Sequence, residues 1–219
     1  DPITYWRALA NTSFEQYDES TAAKLANDYR ELLQDAVRLR LRADVKVGSA
    51  LSGGLDSSSI VYLINNVLKQ AGREEQQETF SCVYSSPGTE SCDESRYINR
   101  LAEVLAVKSN QIEPKARDIP NEHERMIYAM DTLPDSTCMS GWHTFMRVAQ
   151  SDVTVTLDGQ GADEQMGGYL GYFLYWFAQA PLTVLSREFF PAFRVPGAGR
   201  MALRGLALNL LSQLIGERG

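Results

Sequence analysis

Nowhere in the chain do apolar residues run uninterrupted for the ~18 positions that a membrane-crossing helix needs. The nearest stretch, Tyr169 to Leu185, is broken by Gln179 and Pro181 and carries several tyrosines, so a buried or domain-packing helix is expected there. No secretory leader is expected, because Asp1-Pro2-Ile3-Thr4-Tyr5-Trp6 lacks a basic-then-apolar pattern. Excess positive charge is missing as well. The 21 Lys and Arg stand against 28 Asp and Glu, a formal charge of −7, which argues against a nucleic-acid-binding surface. Only the end runs the other way, with five arginines against two glutamates from Arg187 onward. The three cysteines, Cys82, Cys92 and Cys138, have no C-x-x-C spacing, so reduced thiols in a cytoplasmic protein are the expectation. His123 and His143 are the only histidines, expected at the surface or partly buried with partners, and no lysine follows Lys115.

What remains is an ordinary globular composition, 44% apolar over 219 residues, enough for one large α/β domain or a domain with an appendage. Apolar residues at helical spacing mark Thr21–Arg42, with Leu25, Tyr29, Leu32, Leu33, Ala36, Val37 and Leu41 on one face. Further helices are expected at Ser58–Gln70, Glu94–Leu105 with Asp93 as its cap, Ile119–Met130 and Trp142–Ala149. Strands are expected at Val45–Leu51, Glu78–Tyr84, Lys108–Glu113 and Val153–Leu157. Alternating strands and helices imply an α/β fold: a parallel twisted sheet with helices on both faces, Rossmann-like, with ligand beyond the carboxyl ends of the strands. Residues 1–20, with Tyr5, Trp6, Phe14 and Tyr17 as scattered anchors, read as a lead-in or linker. Residues 21–186 read as the main domain, and 187–219 as its helical C-terminal segment. The repeat Leu203, Leu206, Leu210, Leu211, Leu214 and Ile215 serves packing there.

Two strand-to-helix connections carry the chemistry. In Ser49-Ala-Leu-Ser-Gly-Gly-Leu-Asp-Ser-Ser-Ser-Ile60, glycines allow a sharp turn and close approach of a ligand. The free N–H groups of the following helix and the serine hydroxyls suit an anion. Asp56 would repel phosphate unless a divalent cation bridges the two. An ordinary helix start with Asp56 or Ser57 as N-cap is the plain alternative. Neither the Gly-Lys-Ser/Thr of a Walker loop nor Gly-x-Gly-x-x-Gly is present. The second connection, Leu157-Asp-Gly-Gln-Gly-Ala-Asp-Glu-Gln-Met-Gly-Gly-Tyr169, again follows a strand and opens a helix. Asp56 and Asp163 are candidates to hold one Mg²⁺, with phosphates completing its octahedron.

Ser52-Gly-Gly-Leu-Asp-Ser-Ser58 resembles the pyrophosphate-binding loop of the ATP pyrophosphatase (PP-loop, adenine nucleotide alpha hydrolase) enzymes, which split ATP between its α- and β-phosphates. Together with the second connection it resembles the synthetase domain of the glutamine-dependent asparagine synthetases, a superfamily that includes β-lactam synthetase and lasso-peptide cyclases. The likeness runs from about Leu33 to Tyr169 and takes in Asp93-Glu-Ser-Arg-Tyr97. It implies that Leu51, Ser52, Gly53 and Gly54 frame ATP and that Ser57 and Ser58 meet the pyrophosphate. It also places Cys82 against the adenosine through its backbone, has Asp158 and Gly159 meet the nucleotide, and makes Asp56 and Asp163 the Mg²⁺ ligands. The implied reaction is adenylation of a carboxylate, aspartate or a related acid, with release of pyrophosphate, followed by attack of ammonia derived from glutamine.

Three departures accompany the likeness. Gln160 stands where some of these enzymes have Glu, and a neutral amide is no general base. The family's later Lys has no counterpart after Tyr169. The N-terminal glutaminase, expected upstream with a leading Cys, is not in this sequence, where residue 1 is Asp. The chain therefore reads as an incomplete synthetase domain that binds ATP·Mg²⁺ without completing the synthesis, with a homodimer as one compatible assembly. An internal-amide cyclase and a nucleotide-binding regulatory module without chemistry are the competing readings.

Overall fold

The computed structural model describes residues 3–5, 18–73, 77–134 and 138–216, with side chains through 213. The expected anchors Trp6, Phe14 and Tyr17, and the side chains of Leu214 and Ile215, lie outside the described residues. In chain order the elements are α1 (Glu19–Arg40), β1 (Val47–Ala50), α2 (Leu55–Gln70), β2 (Glu78–Cys82), α3 (Ser95–Leu105), β3 (Lys108–Ile112), α4 (Ile119–Met130), α5 (Met139–Val148), β4 (Val155–Thr156), α6 (Ala162–Met166), α7 (Gly171–Gln179), α8 (Leu182–Ala192) and α9 (Ala198–Gly216). They fall into two compact units: Asp28–Ala162, and a unit of residues 1–27 with 163–219.

The first unit is built on a four-stranded sheet of order β3-β2-β1-β4 with every neighbouring pair parallel. The chain therefore steps outward from β1 through β2 to β3, then crosses back to place β4 on the other side of β1. That reversal puts the ends of β1 and β4 side by side, the position where open α/β sheets bind ligands.

Helices cover both faces of the sheet. Val47 and Leu51 point to one face, where Val47 packs with Val37, Leu41, Ile60 and Ile64, and Leu51 with Val61, Ile98, Leu105 and Val107. The alternate residues face α5, whose Arg147 donates to Asn110 Oδ1 at 3.2 Å. On that face Phe80 is fully buried and lies over Gly48, where a Cβ would sit 2.9 Å from the ring. The apolar face expected along α1 is used only in its C-terminal half, since Leu25 and Leu32 are exposed.

The strands come out shorter than expected, most of all β4. Even so, Thr154 N donates to Lys46 O and Leu157 N to Gly48 O, so the bonding of the expected Val153–Leu157 strand extends beyond its two regular residues. α3 starts at Ser95 and α5 at Met139, shifts of one and three residues.

At the amino ends of the strands a charge network ties the sheet together. Glu78, 2% exposed, accepts from Lys46 Nζ, from Lys108 Nζ at 3.0 Å and from Asn110 Nδ2 at 2.8 Å, while Lys46 also meets Asp152 at 3.0 Å. Burial works to raise the Glu78 pKa, but the bonds from Lys46, Lys108 and Asn110 outweigh it and hold the carboxyl at about 2, below its ordinary 4.5. A carboxyl depressed in the folded state stabilises above its unfolded pKa and loses that contribution as pH falls toward the folded value. Glu78→Gln is therefore expected to cost about 2 kcal/mol at neutral pH, less than a fully buried pair because both lysines keep contact with water. The variant is also expected to lack the share of acid destabilisation that the wild type shows between pH ~4.5 and ~2. Urea unfolding at a series of pH values measures both.

In the second unit Phe177, Ala180, Leu185, Ala192 and Ala202 form the core of α7, α8 and α9. Pro181 splits the expected single helix of Tyr169–Leu185, leaving Ala180 extended (ψ 145°) between α7 and α8. Gly205 lets α9 approach α7 closely, since a Cβ there would fall 2.5 Å from Leu174 O. Asn209, buried, donates to Phe177 O at 3.2 Å and Ala180 O at 3.0 Å, serving carbonyls that the end of α7 leaves open.

Candidate functional site

The first connection leaves β1 at Ala50, and Leu51 is held by its N–H bond to Phe80 O at 2.8 Å. Gly53 then adopts φ +94°, a conformation that favours glycine. α2 starts at Leu55, not at Ser58, so Asp56, Ser57 and Ser58 all lie in its first turn. The plain alternative of Asp56 or Ser57 as N-cap is not what forms. The cap position is Gly54, and no side chain caps the helix. The first intrahelical bond is Ser58 N to Gly54 O at 3.1 Å, leaving the N–H groups of Leu55, Asp56 and Ser57 without helical acceptors.

The three polar side chains of this turn divide the work. Ser57 is buried, and its hydroxyl lies 2.9 Å from Ser52 Oγ, accepts from Ser52 N at 3.2 Å and donates to Gly54 O at 3.3 Å. It holds the loop's shape and has little capacity left for a ligand. Ser58 and Asp56 are half-buried, and neither side chain has a hydrogen-bond or ion-pair partner among the described residues. A carboxylate at a helix N-terminus with nothing to satisfy it, beside an unengaged hydroxyl, has the hard oxygen donors that suit Mg²⁺ and phosphate. Among the described residues no group of three or more His, Cys, Asp or Glu is arranged to hold a metal by itself, so a cation here would need ligand oxygens as well.

The second connection comes to the same place. Asp158 Oδ1 accepts from Ala50 N at 2.6 Å and its Oδ2 accepts from Thr156 Oγ1 at 2.9 Å, latching the end of β4 to the end of β1. Gly159 then lies on the first turn of α2. A Cβ at this position would be 2.8 Å from both Asp56 C and Ser57 N and 3.1 Å from Asp56 O. Two glycine-bearing loops separated by about a hundred residues therefore meet backbone to backbone at the Asp56–Ser57 peptide. Gln160 follows, exposed.

Asp163 belongs to the other unit, where it is half-buried near the start of α6. Its carboxylate lies against Gly168, where a Cβ would collide with Oδ1, so the missing side chain of Gly168 keeps room for it.

Cys82 closes β2 at the carboxyl end of the sheet. Its thiol donates to Tyr84 Oη at 3.4 Å, and burial pushes its pKa up, which disfavours the nucleophilic thiolate. Burial together with Cys82 also pushes the Tyr84 phenol up to about 12. Cys92 and Cys138 are exposed. His143 is buried on α5, its Nε2 2.8 Å from Glu122 Oε2 on α4, away from both loops in sequence and bonding. Sequence reasoning missed that pair, and it missed the latch by Asp158. Nothing local signals the latch, because its other half, Ala50, lies more than a hundred residues earlier.

Among the described residues no helix is long and apolar enough to cross a membrane. The asparagine synthase family profile matches residues 28–217. Over 149 residues the chain is 33% identical to a putative glutamine-hydrolysing asparagine synthetase 2 of Methanocaldococcus jannaschii, covering 67% of this chain and 27% of the relative. It is 28% identical to a glutamine-hydrolysing asparagine synthetase 3 of Bacillus subtilis, covering 77% and 28%. It is 30% identical to a protein named amidase chry2 of Gibberella zeae, covering 75% and 26%. The chain thus spans about a quarter of the length of these relatives.

Proposed function

The chain belongs to the asparagine synthase family, and from that premise we propose that the whole protein is an ATP-dependent carbon–nitrogen ligase that activates a carboxylate as its adenylate and converts it to an amide. A carboxylate oxygen attacks the α-phosphorus of ATP, the bond from that phosphorus to the bridging oxygen breaks, and pyrophosphate leaves. Ammonia then attacks the acyl carbon, loses a proton, and AMP departs with the former carboxylate oxygen. The side chain of aspartate is the proposed acid, and glutamine, hydrolysed by a glutaminase domain upstream, the proposed source of ammonia. The setting is cytoplasmic.

The observation that carries this reading is the contact of Gly159 with the Asp56–Ser57 peptide, which brings both loops to one helix N-terminus. Leu51, Ser52, Gly53, Gly54, the Cys82 backbone, Asp158 and Gly159 surround the proposed nucleotide. The N–H groups of Leu55, Asp56 and Ser57 and the Ser58 hydroxyl face the charge that develops on departing pyrophosphate, and they do so without reorganising. Asp56 and Asp163 are the proposed ligands of Mg²⁺, which supplies charge neutralisation on the phosphates. Gln160 orients by hydrogen bonding and takes no proton.

Pyrophosphate release by the whole protein, with ATP, Mg²⁺ and ammonia, tests the reading. Release is expected to require aspartate. Release that requires a different acid reassigns the substrate, and no release with any acid overturns the proposed activity.

A further inference from the structure

The segment Asp93-Glu-Ser-Arg-Tyr97 stands outside the nucleotide loops, and nothing in the proposed chemistry uses it. Asp93 Oδ1 accepts from Tyr84 N at 3.3 Å and from Ser95 N at 3.2 Å, and its Oδ2 accepts from Ser95 Oγ at 2.7 Å. One carboxylate therefore ties the chain just beyond β2 to the first residue of α3. Glu94, between them, offers α3 no side-chain cap of its own. Its carbonyl accepts from Tyr97 N at 2.9 Å and Ile98 N at 3.2 Å, so it forms the first turn of the helix.

That turn is the wall behind the nucleotide loop. A Cβ on Gly53 would lie 2.9 Å from Glu94 Cβ, 3.2 Å from Glu94 O and 3.5 Å from Ile98 Cγ1. Ile98 is itself fully buried against Leu51 and Val61. Gly53 is thus backed by α3 while Gly159 packs on the peptide three residues further along the loop.

We propose that Asp93 is a positioning residue for nucleotide binding: by fixing the first turn of α3 it holds Glu94 against Gly53 and so keeps the loop N–H groups aimed at the phosphates. The proposal rests on the assignment of this loop to ATP. The carboxylate itself touches no substrate. Without it the start of α3 loses these bonds to Tyr84 and Ser95, Glu94 withdraws, and the Gly53 turn regains the freedom that glycine allows.

The test is titration of the whole protein with α,β-methylene-ATP and Mg²⁺ by calorimetry, beside steady-state kinetics. Asp93→Ala is expected to weaken analogue binding about tenfold and to raise the KM for ATP similarly, with the KM for the acid unchanged. Asp93→Asn is expected to bind within about threefold of wild type, because its carbonyl takes both backbone N–H bonds and the Ser95 hydroxyl turns to accept from its amide. Should Asp93→Ala not fold, Ser95→Ala removes only the hydroxyl bond, and binding about threefold weaker is expected. A folded Asp93→Ala that binds as wild type, Asp93→Asn as weak as alanine, or a parallel loss in the KM for the acid overturns the proposal. Failing a folded Asp93→Ala, Ser95→Ala at wild-type affinity does the same. If the wild-type protein binds no analogue, the ATP assignment falls and this proposal with it. Normal wild-type binding with an unaffected Asp93→Ala overturns this proposal alone.

Discussion

Gly159→Val is expected to lower pyrophosphate release about a hundredfold or more while the first unit stays folded. The valine Cβ would be driven to 2.8 Å from Asp56 C and Ser57 N, both backbone atoms, so no flexible side chain can give way. Either the second loop lifts off or the first turn of α2 shifts. A displacement of about 1 Å at this point costs on the order of a hundredfold in a reaction that depends on alignment. Gly141→Ala is the control. Nothing lies within 4 Å of a Cβ there, and the residue sits in α5, where alanine is the better helix former. That control is expected to leave the rate unchanged and to melt no lower than wild type. A Gly159→Val protein with wild-type turnover would mean that the contact between the loops has no part in the chemistry.

Asp56→Asn is expected to reduce turnover about a thousandfold, the several kcal/mol that a bound metal contributes to a developing phosphate charge. Its carboxylate has no hydrogen bond or ion pair among the described residues, so the substitution breaks no contact and stability is expected to change by less than about 1 kcal/mol. Removing a negative charge from a helix N-terminus is itself worth only about 0.3–1 kcal/mol. A large kinetic loss beside an unchanged melting temperature therefore separates metal binding from helix capping. Steady-state assays across a Mg²⁺ titration, with thermal unfolding in parallel, provide both measurements. A less than fivefold loss of turnover would remove Asp56 from the metal-binding role.

The alternation of strands and helices was readable because buried parallel strands such as Glu78–Cys82 and amphipathic helices such as Ile119–Met130 announce themselves locally. The two loops were readable for the same reason, since glycine, serine and aspartate cluster where the backbone must turn and bind. What escaped was decided by partners far away in the chain. Asp158 reads locally as a nucleotide contact, and its second task, accepting from Ala50 N more than a hundred residues earlier, shows only in the fold. Glu78 looked like one more strand residue. Only the parallel register brings Lys46 and Lys108 to it. The expected start of α2 at Ser58 is three residues late because serines after a glycine pair read as caps. In the fold Gly54 takes that place, and the uncapped turn is what leaves N–H groups for an anion. Asp93 reads as a cap, but its reach to Tyr84 and the packing of Glu94 on Gly53 depend on how α3 folds back beside the loop.

The central claim, that the converging loops activate a carboxylate at the α-phosphorus of ATP, is tested most directly by following the oxygen. The whole protein is supplied with ATP, Mg²⁺, ammonia and aspartate labelled with oxygen-18 in its side-chain carboxylate, and the products are analysed by mass spectrometry. One labelled oxygen is expected in AMP for each amide formed, with none in pyrophosphate. Label appearing in orthophosphate alongside ADP, or amide formed with unlabelled AMP, would contradict the account.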